Sequence, residues 1–308
     1  MGRELARQLA SEGCHLALCD VLMDNLRKTQ ELSVATAPAG TRITISECDV
    51  SNESNVMAFR DEVKRAHATD HIHLLFNNAG IGGGSSFLND SRAEWDRTFA
   101  VCWNGVYLCT RAFMPLLVAS DAGHLVNTSS VNGFWACLGP SYPQTAYAAA
   151  KFAVKGFTEA LIVDTRVNAS HVKISLVMPG HIGTPIFDNS QRLLHNRSVA
   201  DMGAAELAPF RASLKHQGIA VEQISDDLLK QGLQRFADEF RDNAPTSAAD
   251  AAKIILDGVR TDQWRILVGH DAQALDAAVR TTPEQAYEES FQNKLVQEGH
   301  MRGSRSRS

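Results

Sequence analysis

Six cysteines are scattered over 308 residues, at 14, 19, 48, 102, 109 and 137, and none stands in a Cys-x-x-Cys pair. That spacing does not suit a zinc site, and a chain of this length does not need a disulfide framework. It reads as reduced thiols in a cytoplasmic protein. The eleven histidines also lack metal-ligand spacing, so no metal is expected. No run approaches the ~18 consecutive apolar residues of a membrane span, and no signal peptide is visible. Lysine and arginine form no basic stripe and the net charge is −5, which argues against a nucleic-acid partner. Linkers rich in Pro, Gly or Ser are missing before the last few residues, as are internal repeats. One domain is therefore expected over residues 1–270. A C-terminal extension, 271–308, ends in MRGSRSRS, a composition that reads as a solvated, disordered basic tail.

What is present is an alternation of short apolar strands and helical stretches. Strands are predicted at His15–Asp20, Arg42–Val50, His73–Gly80, His124–Ser130, Val172–Gly180 and Arg265–Gly269. Helices are predicted over Gly2–Gly13, from Asp20 to Ala35, after Asn52, over Trp103–Leu117 and over Thr145–Arg166. The strands are continuous apolar runs, which implies burial on both faces. The expected fold class is α/β, a parallel sheet with helices on each side. Ligands in such sheets bind beyond the carboxyl ends of the strands, where this chain places Asp20, Asp49-Val50, Asn77-Asn78-Ala79-Gly80, Ser129-Ser130 and Pro179-Gly180.

A carboxylate such as Asp20, closing a strand of a dinucleotide fold, accepts hydrogen bonds from ribose hydroxyls and repels a 2′-phosphate. It favours NAD over NADP. A cap or turn role is the competing reading, since Asp is common there. Gly2 stands 18 residues earlier and opens a helix whose N-terminus would suit a pyrophosphate; a flexible chain end is the alternative. Tyr147 and Lys151, four apart, share one helix face. A phenol with an ordinary pKa near 10 needs a nearby ammonium to favour its charged form. It can then give a proton to a carbonyl oxygen or take one from an alcohol. Ser130, at a strand end, can hydrogen-bond the same oxygen. Each of these signals alone also fits an ordinary amphipathic helix or cap.

Taken together and in order, MGRELARQLASEG, Asp20, CDV (48–50), NNAG (77–80), NTSS (127–130), YAAAK (147–151) and PGHIGT (179–184) resemble the short-chain dehydrogenase/reductase family. The resemblance covers most of residues 1–270. It implies a doubly wound Rossmann-type sheet in a three-layer α/β/α arrangement and a nicotinamide cofactor. It also implies a hydride transfer between NAD(H) and a secondary alcohol, ketone or aldehyde. By position it implies that Gly2 meets the pyrophosphate and Asp20 the ribose. Asp49 and Val50 would meet the adenine, and Asn78, Ala79 and Gly80 would line the cofactor. Pro179, Ile182 and Thr184 would border the nicotinamide amide. Ser130 would orient the substrate, Tyr147 would be the acid/base, and Lys151 would bind the ribose and tune Tyr147. A homodimer or homotetramer packed through the helices at 103–117 and 145–166 is implied too, as is a substrate lid over about 187–239.

Three departures stand out. Only the last glycine of the family's Gly-x-x-x-Gly-x-Gly turn is present, as Gly2, and the family's first strand is missing. The expected consequence is unpaired backbone on the two flanking strands and weak cofactor binding. Cys102 stands where many members carry an asparagine that helps hold a relay water; Asn104, two positions on, would point elsewhere. The loop between Ser130 and Tyr147 is long, and Phe134, Trp135 and Tyr142 there could line a substrate pocket or simply pack. Competing readings are an NADP-dependent ketoacyl or steroid-type reductase, a cofactor-binding protein without turnover, and a truncated product. Asp20 opposes the first; Ser130, Tyr147 and Lys151 oppose the second, which the missing strand and Cys102 favour; the third stays open.

Overall fold

The computed structural model describes every residue except 138–142, 196, 217–218 and 301–308. The basic tail and Tyr142 therefore lie outside the described residues. The chain begins with α1 (Gly2–Ser11), β1 (Leu16–Asp20), α2 (Met23–Val34), β2 (Ile43–Glu47), α3 (Glu53–His67) and β3 (Leu74–Asn77). It continues through α4 (Arg92–Phe99), α5 (Gly105–Val118), β4 (His124–Thr128), α6 (Thr145–Asn168), β5 (Lys173–Pro179) and β6 (Ile182–Gly183). Then come α7 (Ile186–His195), α8 (Ala204–His216), α9 (Asp226–Asp242), β7 (Thr246–Ser247), α10 (Ala248–Arg260), β8 (Arg265–Val268), α11 (His270–Thr281) and α12 (Glu289–Gln297). Side-chain caps set several helix starts. Asn52 accepts from the Asn55 amide at 3.1 Å, Ser91 from Glu94 at 3.2 Å and Ser247 from Asp250 at 3.0 Å. Each such cap contributes about 1 kcal/mol.

All ladders are parallel. β4 shows why the sheet sits between two helical layers. Leu125 packs with Leu117 and Ile174 on the α5–α6 side, while its neighbour Val126 packs with Leu5, Leu9 and Ile255 on the α1–α10 side. β5 repeats the alternation, Leu176 and Met178 one way and Val177 the other. Successive side chains of a strand point to opposite faces, so both faces must be apolar.

The expectation of burial on both faces holds for β4 and β5 but not for the first three strands. In β1 only Leu16 is buried, and in β3 only Asn77. The reason is pairing. β1 ladders with β2 alone, while β3, β4, β5 and β8 form a separate four-stranded sheet. Among the described residues no ladder joins β1 to β3, so each carries one unpaired backbone edge, as the sequence led us to expect. Helices on both layers bridge the two sheets, with Cys109 and Phe113 of α5 packed among residues of β1 and β3.

Two further points differ from the sequence reading. The helix predicted to begin at Trp103 is continuous with α4. It widens over Ala100–Asn104 into a π turn closed by the Gly105 amide on the Ala100 carbonyl. The resulting run, Arg92–Val118, is long and apolar enough to cross a membrane by length and composition, which contradicts the expected absence of such a run. More than half of its apolar window is buried in the core of this fold. The extension after residue 270 is no loose appendage: α11 and α12 pack Ala272, Leu275 and Leu295 around Val131 and Trp135.

Candidate active site

The carboxyl ends of β3, β4 and β5 gather the expected residues. Asn77 donates to Asn127 Oδ1 at 2.8 Å and to Thr110 at 3.0 Å, and Asn127 donates to Thr158 at 3.0 Å. This buried chain fixes β3 to β4 and both to the two long helices, so the segments beyond them start from a rigid base.

Beyond β4, Ser130 caps a short turn by accepting from the Asn132 amide at 3.1 Å, and its hydroxyl lies on the side of the Tyr147 phenol, where it favours the charged form. Lys151 lies one helical turn on, fully buried, with Nζ 5.5 Å from the Tyr147 ring centre and donating to the Thr128 carbonyl at 2.9 Å. The expected triad is thus brought together. The electrostatics differ from expectation. Desolvation pushes the Tyr147 phenol up, reinforced by the Cys102 thiol, and the Ser130 hydroxyl only partly offsets it. Burial likewise pulls the Lys151 ammonium down. In this protein alone, the lysine does not outweigh the loss of water around the tyrosine.

Cys102 sits in the π turn, fully buried. Its thiol donates to the Ile81 carbonyl at 3.2 Å and accepts from the Ile81 amide at 3.5 Å. Both Cys102 and Lys151 face Gly80, 3.8 and 3.5 Å from where a Cβ would sit. Asn104 is exposed and does not replace it. Trp135 is fully buried and donates to the Ala286 carbonyl at 2.8 Å, so it packs the loop and lines no pocket.

The remaining residues define a groove along the strand ends. Gly2 opens α1 against Asn78, with room for no Cβ beyond 2.8 Å from the amide nitrogen. Asp20 is exposed at the end of β1, one oxygen accepting from the Leu22 amide at 2.9 Å. The turn role and an open carboxylate therefore coexist. Asp49 is more engaged than its sequence suggested: Ser51 donates to Oδ1 at 2.7 Å and Arg97 to Oδ2 at 2.8 Å. Burial works against its charge, but these donors outweigh it and hold the carboxyl below its usual range. Val50 packs against Gly105, and Ala79 is exposed at the groove floor. Pro179 ends β5, Ile182 is buried in β6 beside β7, and Thr184 follows half-buried. From the far side α7 leans over: Ser190 accepts from the Gly82 amide at 2.9 Å, and Leu193 and Leu194 pack with Ile81. No sequence signal marked Arg97 or Ser190, because each acts through a partner distant in the chain. The segment expected as a lid, about 187–239, is occupied by α7, α8 and α9.

Two groups in this groove keep hydrogen-bonding capacity unused among the described residues. Asn78 Oδ1 is buried with no hydrogen bond among the described residues. Lys151, with three N–H groups, spends one on Thr128. A ligand bearing ribose hydroxyls and an amide fits such a cradle.

Residues 1–193 match the family described as short chain dehydrogenase. The chain belongs to the short-chain dehydrogenase family. The SadH protein of Mycobacterium tuberculosis, named as an oxidoreductase, is 34% identical over 281 residues, covering 91% of this chain and 86% of that one. A short-chain dehydrogenase/reductase from Burkholderia phymatum, solved in complex with NAD, is 31% identical with TM-score 0.71, over 92% of this chain and 89% of that one. A metagenomic short-chain oxidoreductase solved with NADP is 32% identical with TM-score 0.51, over 63% and 85%. As a short-chain dehydrogenase with this three-layer α/β fold, the protein is an NAD(P)-dependent oxidoreductase acting on alcohol and carbonyl groups.

Proposed function

We propose that Ser130, Tyr147 and Lys151 carry the reaction and that NAD(H) is the preferred cofactor. The observation that carries the first part is the cluster of buried Ser130 and Lys151 with half-buried Tyr147 at the carboxyl end of the sheet. When bound, the nicotinamide supplies or accepts the hydride at the substrate carbon. The chain's own residues manage the proton. In the reducing direction Tyr147 gives its phenolic proton to the carbonyl oxygen; in the oxidising direction it takes the proton from the alcohol. Ser130 hydrogen-bonds that oxygen and orients it. Lys151 offers its remaining N–H groups to ribose hydroxyls, and its charge favours the phenolate. Gly2, Asn78, Ala79 and Gly80 would line the rest of the cofactor, with Asp49 and Val50 at the adenine and Pro179, Ile182 and Thr184 at the amide.

The preference for NAD rests on Asp20, whose exposed carboxylate can accept from both ribose hydroxyls and repels a 2′-phosphate. Asp20→Ala is expected to reduce the NAD/NADP ratio of kcat/KM by about tenfold or more, since a like-charge contact costs over 1 kcal/mol. An unchanged ratio would reject the role of Asp20.

The substrate is a small molecule of partly apolar character, in keeping with Leu193, Leu194 and Phe187 on the lid. A homo-oligomer is supported by the outer faces of α5 and α6. There Tyr107, Phe152, Val163 and Val167 are exposed, Val167 at 77%, more apolar area than a lone surface needs. A cytoplasmic location is supported by the scattered cysteines, none of them in a Cys-x-x-Cys pair.

A further inference from the structure

Between β5 and β6 the chain turns through Gly180 and His181, and this turn leads directly to Ile182 and Thr184. It is held from a direction that the sequence did not announce. Asp271, in the first turn of α11, accepts from the His181 amide through Oδ2 at 2.6 Å. The carboxylate lies between two glycines. A Cβ on Gly180 would run into it, as would one on Gly269, whose φ of +102° is glycine territory in any case. Both glycines thus make room for one side chain. The second oxygen, Oδ1, is buried and has no hydrogen-bond partner among the described residues. The site therefore keeps a buried carboxylate whose single described hydrogen bond is to the turn. Leaving such an acceptor half-satisfied costs stability, so packing alone does not account for an aspartate here.

The other anchors of the turn come from different elements. His181 Nε2 lies 2.7 Å from the Phe240 carbonyl of α9, the rings of the two residues are 4.1 Å apart, and β6 ladders with β7. The same α11 packs Ala272 and Leu275 against Val131 and Trp135, the turn that follows Ser130. One helix outside the matched segment thus abuts both walls of the groove.

We propose that Asp271 is a positioning residue for hydride transfer, holding the 180–184 turn at the height where Ile182 and Thr184 meet the nicotinamide amide. This rests on the site reading given above. A turn freed from its anchor samples geometries in which the amide is misplaced, and misplacement by an ångström is enough to cost one or two orders of magnitude.

The test compares Asp271→Ala and Asp271→Asn with the parent chain, with Tyr147→Phe alongside. Asparagine keeps an acceptor for the His181 amide. Hydrogen exchange is read in the ligand-free protein at the amides of 181–184, with β4 as internal reference. NADH binding is read by fluorescence titration, and kcat and KM separately. Asp271→Ala is expected to speed exchange at 181–184 about tenfold relative to β4. It should lower kcat about tenfold or more and raise the NADH Kd and the cofactor KM about tenfold; Asp271→Asn should stay within about threefold of the parent on every readout. Unchanged local exchange together with an unchanged Kd in Asp271→Ala overturns the proposal. So does an asparagine variant as impaired as the alanine one. Should Asp271→Ala fail to fold, Asp271→Ser takes its place with the same two readouts deciding. If Tyr147→Phe retains turnover, the catalytic assignment fails, while exchange and Kd in the Asp271 variants still decide the anchor.

Discussion

Tyr147→Phe lowers kcat/KM by about 10³-fold and leaves NADH binding within about twofold, the effect of removing a general acid/base while keeping its shape. The substitution deletes one hydroxyl, the group that Ser130 influences. The ring that packs beside Lys151 and Ile81 stays. Folding should therefore be undisturbed, and stopped-flow or steady-state assays with a short ketone panel report chemistry alone. Because desolvation pushes the phenol above its ordinary value, the two directions differ in pH response. Carbonyl reduction needs the protonated phenol, which is present throughout neutral pH, so its rate is flat there. Alcohol oxidation needs the phenolate, so its rate climbs as pH rises. Activity within threefold of the parent, or an oxidation rate that falls with rising pH, would remove Tyr147 from the mechanism.

Asp276→Ala destabilises the fold by about 3 kcal/mol, the cost of leaving a buried cation without its partner. Asp276 in α11 receives both arms of Arg265, at 2.5 and 3.0 Å, and Nε of Arg280 at 3.0 Å. The Arg265 and Asp276 side chains are only 13% and 12% exposed, so water cannot take over. Burial opposes the charge of Asp276, but the two guanidinium groups outweigh it and hold the carboxyl below its usual range. A depressed folded value means the contribution is present above about pH 4, the ordinary carboxylate range, and is lost as pH falls below it. Urea unfolding of parent and variant should thus differ fully at pH 7 and by progressively less as pH falls below the ordinary carboxylate range. An undiminished difference at pH 3 would assign the loss to packing.

Much of this was legible in the chain because the chemistry sits at strand ends. Continuous apolar runs placed β4 and β5, and the i, i+4 spacing placed Tyr147 with Lys151. Ser130 was found because it ends a strand. What stayed hidden depends on contacts distant in sequence. Arg97 reaches Asp49 across 48 positions and Asp271 reaches His181 across 90, and no local period reports such pairs. The sign of the Tyr147 shift was missed for a related reason. Spacing shows that an ammonium is near, but only burial shows how little water either group keeps. Trp135 was ambiguous because an aromatic in a loop reads the same whether it lines a pocket or, as here, fills one beneath α12.

The divided sheet has a consequence for what a bound dinucleotide does. Asp20 ends β1 and Asp49 follows β2, whereas Ser130, Gly80 and Ile182 follow strands of the four-stranded sheet, and among the described residues no ladder ties the two groups. The helices packed across both sheets hold them together, with Leu18 of β1 and Phe76 of β3 against one core. A dinucleotide laid along the groove would touch both groups. It would tie the two sets of strand ends directly, adding about 2.7 kcal/mol at a hundredfold excess over Kd.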